Sequence, residues 1–207
     1  NWNKFIKWLA SFNKLREFVS NNSKDTTARY NFALMCEELN YSDLAIDNYS
    51  QVIKKDSKHW RSKFNLYLIF ISQKKYTEAL KLINEVLKIK SNYQPALRDK
   101  AVVLYYLKKA DKGLIYIQES LKQNPSDYIA LNTLGLIYMA MEMYDEANKA
   151  FNQSIKTNPN YVPSYNNLGR CYSLQHDRKS EMLYYNKALE LNPNFKESIN
   201  NIANYYN

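Results

Sequence analysis

The chain has 207 residues, of which 45% are apolar and 14% aromatic, so it has the material for one or two cored domains and is not a disordered segment. Only three Gly and five Pro occur, which disfavours a turn-rich β protein and suits long helices. The formal charge of +9 raises nucleic acid and anionic membrane as partners, but the lysines are scattered, as solvated helix faces require, and no apolar run approaches the ~20 residues of a membrane helix.

In chain order, residues 1–25 come first. Trp2, Phe5, Leu9, Phe12, Leu15, Phe18 and Val19 fall on one helical face. This predicts a capping helix or the second helix of a partial repeat. From residue 26 a pattern returns every 34 residues, over 26–59, 60–93, 94–127, 128–161 and 162–195. The family resemblance carried by the last two of these segments implies that each segment is a pair of antiparallel helices. A slot on the first helix reads Ala33, Tyr67, Ala101, Gly135, Gly169. The second helix carries Ala45, Ala79, Gly113, Ala147, Glu181 at a small slot and Tyr49, Ile83, Ile117, Phe151, Tyr185 at a large one. Small residues allow close helix approach, and large ones fill the space between pairs. Pro125, Pro159 and Pro193 end second helices. Pro95 and Pro163 fall in the first turn of first helices, where a missing N–H is harmless. Residues 196–207, with Ile199, Ile202 and Tyr206, start a sixth first helix or cap the stack.

The two segments 128–161 and 162–195 carry the sequence signature most fully. Leu131, Leu134-Gly135, Tyr138, Ala147, Phe151 and Pro159 are followed 34 residues later by Tyr165, Leu168-Gly169, Tyr172, Glu181, Tyr185 and Pro193 at the matching slots. This resembles the pattern W-x2-L-G-x2-Y, A-x3-F, P of tetratricopeptide (TPR) repeats. The resemblance implies an all-α, right-handed α-solenoid of antiparallel helix pairs. Three residues depart from it: Tyr67 at a small slot, Lys100 at a Leu slot and Glu181 at a small slot. They predict irregular packing in the pairs that begin at 60 and 94, and exposure or displacement around Glu181.

The sequence offers no catalytic constellation. His59 and His176 are the only histidines, both in turns where solvation is expected. Glu37 and Glu38 are adjacent, so their side chains diverge on a helix. No phosphate loop occurs. Cys36 and Cys171 lie far apart on apolar faces and read as core residues of a reducing compartment. No signal peptide is recognisable, although the chain begins at Asn1 rather than Met, and an intracellular, cytoplasmic location is expected. Neither enzyme activity, nor a metal, nor a cofactor, nor a small-molecule substrate is expected.

In TPR proteins the first helices line a concave groove. The sixth position of these helices reads Asn31, Asn65, Asp99, Thr133, Asn167, Asn201. This resembles the asparagine ladder in the TPR region of O-linked N-acetylglucosamine transferases. An Asn amide both donates and accepts, so a row of them suits an extended backbone. Tyr30, Leu68, Tyr105, Leu136 and Arg170 neighbour that row, as do Phe64 and Met139, which suit core packing equally. The dicarboxylate clamp of chaperone-binding TPR domains is incomplete: Asp99 and Thr133 replace its later polar and basic positions. The expected function is a protein-interaction scaffold, one piece of a larger protein or complex, whose groove takes an extended segment or helix. Two alternatives are a substrate-recognition arm of a larger enzyme such as a glycosyltransferase and an RNA-binding helical solenoid. The strict 34-residue step favours protein or peptide over nucleic acid, and homo-oligomerisation stays open.

Overall fold

The computed structural model describes residues 2–206, with side chains described from Ala10 onward. It contains twelve α-helices and no strand among the described residues. The chain divides into two compact units, residues 1–96 and 97–207. The division falls inside a helix, Gln94–Tyr106.

The first unit holds α1 (Trp2–Asn21), α2 (Thr26–Glu38), α3 (Ser42–Lys55), α4 (Trp60–Ser72) and α5 (Tyr76–Ile89), and the opening residues of α6 (Gln94–Tyr106). Helix α2 packs on α3 and α4 on α5, while α1 lies on α2 and α3 on α4. The core joins Phe12 and Val19 of α1 to Phe32, Ala33, Cys36, Ala45, Tyr49, Leu66 and Ile69. The α1 face is narrower than its periodicity suggests. Phe18 is 47% exposed, because the α2 surface accepts a single stripe of α1 residues. Trp2, Phe5 and Leu9 lie outside the described side chains.

The second unit holds the rest of α6, then α7 (Ala110–Gln123), α8 (Tyr128–Ala140), α9 (Tyr144–Thr157), α10 (Val162–Leu174), α11 (Arg178–Leu191) and α12 (Lys196–Tyr206). Helix α8 packs on α9 and α10 on α11, and α10 touches both α8 and α12. The small and large slots meet as the pattern demands. A Cβ built on Gly135 would sit 2.5 Å from the Phe151 ring, and one on Gly169 would sit 2.7 Å from the Tyr185 ring. Phe151 is fully buried and Tyr185 nearly so. Lys100, at its Leu slot, is half-buried with its ammonium 3.8 Å from the centre of the Tyr116 ring. A cation on an aromatic face thus takes the place of an apolar contact. In the first unit, Tyr67 is buried at the small slot, and the large slot of that pair carries Ile83 rather than an aromatic. The excess volume on one helix is offset on the other.

Helix ends are set by local chemistry that also repeats. Asp25, Asp127 and Asp177 accept backbone N–H bonds as N-caps of α2, α8 and α11, satisfying donors that a helix start leaves orphaned. His59 does the same for α4 through Nδ1, 3.2 Å from the Ser62 N–H, and its ring lies 5.0 Å from Tyr30. It is therefore half-buried rather than solvated. Asn40, Lys74, Lys108, Glu142 and His176 all have φ near +60°. Each lets the following N–H bond back to a carbonyl five residues earlier, as in Tyr41 N–H to Cys36 O at 2.8 Å and Met143 N–H to Tyr138 O at 2.9 Å. This is the closure that glycine usually provides at a helix end.

Candidate functional site

The 34-residue period places the sixth position of every first helix at one register. In the first unit, Asn31 is exposed and Leu68 is 44% exposed. Asn65 is half-buried, and its amide donates to the Tyr49 hydroxyl at 3.1 Å and to the Tyr30 hydroxyl at 3.4 Å. Tyr49 in turn donates to Glu37. Burial raises the Glu37 carboxyl pKa, and this hydrogen bond partly offsets the rise. Burial, together with Glu37, raises the Tyr49 phenol. Asn65 thus closes a polar chain inside the helix stack.

In the second unit, Asn167 and Asn201 share a motif that sequence reading missed. The Asn167 amide donates to Asn132 Oδ1 at 3.0 Å, and the Ser164 hydroxyl donates to the same oxygen at 3.2 Å. One repeat later, Asn201 donates to Asn166 Oδ1 at 2.9 Å and Ser198 donates to it at 3.0 Å. Each bond runs from one first helix to the preceding one. The asparagines therefore tie consecutive repeats together, and Asn167 is only 8% exposed. The signal was visible in the sequence as the paired Asn132/Asn166 and Ser164/Ser198, spaced by one repeat.

Asp99 takes the ladder register in α6 and is buried, with Arg98 Nε 3.0 Å from its carboxylate. Arg98 also reaches Asp127 at 3.2 Å. Burial raises the Asp99 pKa, and the Arg98 charge opposes the rise. Thr133 is buried with its hydroxyl on the Ile129 carbonyl at 2.8 Å. Tyr105 is half-buried and edge-on to Tyr106, with ring centres 5.4 Å apart. Leu136 is half-buried against the core of Met139, Phe151 and Leu168.

Arg170 and Asn201 come together, in a hollow of about 270 Å³ that Arg178, Glu181, Asn204 and Tyr205 also line. Glu181 is 4% exposed, so the exposure expected from its place at a small slot is not found. Its carboxylate stands 4.0 Å from Arg178, at ion-pair distance. Burial and the Glu181 charge push the Tyr185 phenol up to about 12, and Arg170 acts in the opposite sense.

Cys36 and Cys171 are fully buried, and burial pushes each thiol up to about 11. Among the described residues no cluster of His, Cys, Asp or Glu is arranged to hold a metal ion. Among the described residues no helix is long and apolar enough to cross a membrane.

Solved structures with this fold include YrrB, described as a TPR protein with an unusual peptide-binding site. It has 20% identity and a TM-score of 0.69, covering 91% of this chain and 97% of that one. MamA from Desulfovibrio magneticus RS-1 has 19% identity and a TM-score of 0.73, over 83% and 97% of the two chains. PilF of Pseudomonas aeruginosa has 17% identity and a TM-score of 0.73, over 98% and 92%. At these identities the likeness concerns the fold. No curated protein matches the sequence. The family described as the N-terminal TPR repeats region of Psidin matches residues 61–199. That match spans most of the chain, and with helix pairs stepping by 34 residues, small slots closed on aromatic rings and TPR folds as neighbours, the chain belongs to this tetratricopeptide-repeat family.

Proposed function

We propose that this chain is a protein-interaction scaffold that holds an extended segment or helix of a partner protein along its first helices. Repeats of this fold generally serve as non-catalytic scaffolds, and stacked helix pairs present long surfaces built for partners. The observation that carries the reading is a set of side chains on the first helices that the fold itself leaves unused. Asn31 and Leu68 are exposed in the first unit, and Arg170 lies in a hollow of the second. Asn65 in the first unit, and Tyr105, Leu136, Asn167 and Asn201 in the second, add apolar area and amides on the first helices. The amide donors of the three asparagines already bond within the stack, so their part is to shape the surface as well as to contact a partner.

The test begins with the chain as bait, with captured proteins identified by mass spectrometry. Binding of a captured partner is then measured for Asn31→Ala with Leu68→Ala, and for Lys81→Glu with Lys88→Glu on exposed second-helix positions. Each lost hydrogen bond should weaken binding by roughly 0.5–1.5 kcal/mol, with little salt dependence. An unchanged affinity in the folded first-helix variant, with loss in the lysine variant, would refute the reading in favour of charge attraction at the second helices.

A further inference from the structure

In a repeat protein, a residue that departs from the repeat at a given slot does not serve the common fold. Two such residues converge in the hollow bounded by α10, α11 and α12. The register of Arg170 holds Leu34, Leu68, Val102 and Leu136 in the preceding first helices and Asn204 in α12, and the register of Glu181 holds Ala45, Ala79, Gly113 and Ala147 in the other second helices. Replacing a buried small residue by a carboxylate costs free energy unless the charge is compensated. Compensation here is incomplete. The Glu181 side chain is 5% exposed, its Oε2 accepts no hydrogen bond, and Arg178 stands 4.0 Å away, at ion-pair distance only.

The cations are arranged differently. Arg178 is anchored on two sides, by Glu181 and by the Tyr205 ring, whose centre is 4.8 Å from its guanidinium carbon. Yet its side chain is 65% exposed, so its donors are aimed while most of its surface stays open. Arg170 lines the same hollow and has no hydrogen bond or ion pair among the described residues. Two guanidinium groups against one carboxylate leave one net positive charge. Asn201 and Asn204 supply amides at the same wall, and the volume of about 270 Å³ is below that of a typical small-molecule site and suits one side chain.

We propose that this hollow seats one acidic side chain, Asp or Glu, of the bound partner segment, with Arg170 and Arg178 donating to its carboxylate. The inference rests on the scaffold reading above and names the chemistry of one point of contact. Guanidinium forks match carboxylates geometrically, and an arginine held in place before binding loses less freedom on binding. A cationic side chain is excluded by the two arginines. The chain's charge of +9 favours encounter with an acidic segment.

The probe is a fluorescein-labelled hexaglutamate peptide, with hexaglutamine as its neutral counterpart, titrated with the whole chain by fluorescence anisotropy. Hexaglutamate should bind measurably and hexaglutamine much more weakly. Arg170→Gln and Arg178→Gln should each weaken hexaglutamate by about tenfold, the equivalent of one charge-assisted hydrogen bond. Lys81→Gln with Lys88→Gln should change it less than twofold. The arginine Nε–H resonances of Arg170 and Arg178 should shift on titration. Circular dichroism checks folding, and Arg178, being exposed, is the variant whose fold is least at risk. The proposal is overturned if hexaglutamate does not bind, if the arginine variants bind it as wild type does, or if the lysine variant loses as much. Loss of a captured partner on Asn31→Ala with Leu68→Ala, without loss on either arginine variant, removes this inference and leaves the scaffold reading standing.

Discussion

Gly135→Ala adds one methyl group, and the structure determines where that methyl must go. Its Cβ would lie 2.5, 2.6 and 2.8 Å from three atoms of the Phe151 ring, whereas carbon atoms rest about 3.5–4.0 Å apart. Phe151 is fully buried at the face of α8, so the ring cannot swing into solvent, and α8 and α9 must separate by about 1 Å to restore contact distance. Overpacking of this kind costs typically ~1–3 kcal/mol. Replacing a helical glycine by alanine returns up to about 1 kcal/mol. The expected net loss is about 1–2 kcal/mol, or roughly 2–8 °C for a chain of this size. Far-UV circular dichroism during chemical and thermal unfolding measures it. Hydrogen exchange at α8 and α9 shows whether the loss is local, as repeat stacks permit. Compensation can be read from the preceding pair, where Ala101 occupies the same register and Ile117 the large slot. Phe151→Ile alone leaves a void and costs on the order of 1–3 kcal/mol. In the Gly135→Ala background it should cost at least about 1 kcal/mol less, a favourable coupling in a double-mutant cycle. Gly113→Ala is the control: its nearest neighbours are 3.2 Å and 3.3 Å away, the first a flexible Ile137 methyl, so near-neutrality is expected. A Gly135→Ala protein as stable as wild type, or zero coupling with Phe151→Ile, would show that this contact does not limit the approach of α8 and α9.

Two other perturbations test different features. Glu142 holds φ at +61°, which costs a non-glycine residue roughly 1–2 kcal/mol; Glu142→Gly should therefore stabilise the chain by about 1 kcal/mol in denaturant unfolding, and an unchanged or lower midpoint would contradict the strain. Cys36 and Cys171 are buried with thiols pushed up to about 11, so neither should react with a thiol-specific disulfide reagent at pH 8 while folded. Both should react at once in denaturant, because the nucleophile is the thiolate, and rapid modification of the native chain would place a thiol outside the core.

The fold was legible in the sequence because it depends on a period. A 34-residue step, repeated across five segments, allows only one helix-pair arrangement to place Gly135 against Phe151 and Gly169 against Tyr185, and the prolines then have nowhere to lie but at helix ends. Cys36 and Cys171 could be assigned to the core on the same ground. The narrow face of α1, with Phe18 in solvent, was not legible, since periodicity names a helix's apolar side but not how much of it the neighbour covers. Nor was the fate of the polar side chains. Register places Asn167 and Asn201 on the first helices, but only the spacing of successive helices decides that their amides reach Asn132 and Asn166, residues 35 positions back. The same holds for Glu181, for which sequence reading expected exposure or displacement. Its burial depends on a guanidinium three residues earlier, on an aromatic ring from α12 and on the hollow the three elements enclose. Packing of apolar slots is a matter of volume and period, which one repeat suffices to state. Pairing of polar groups depends on distances of a few ångströms between side chains of different repeats, and those exist only once the helices are stacked.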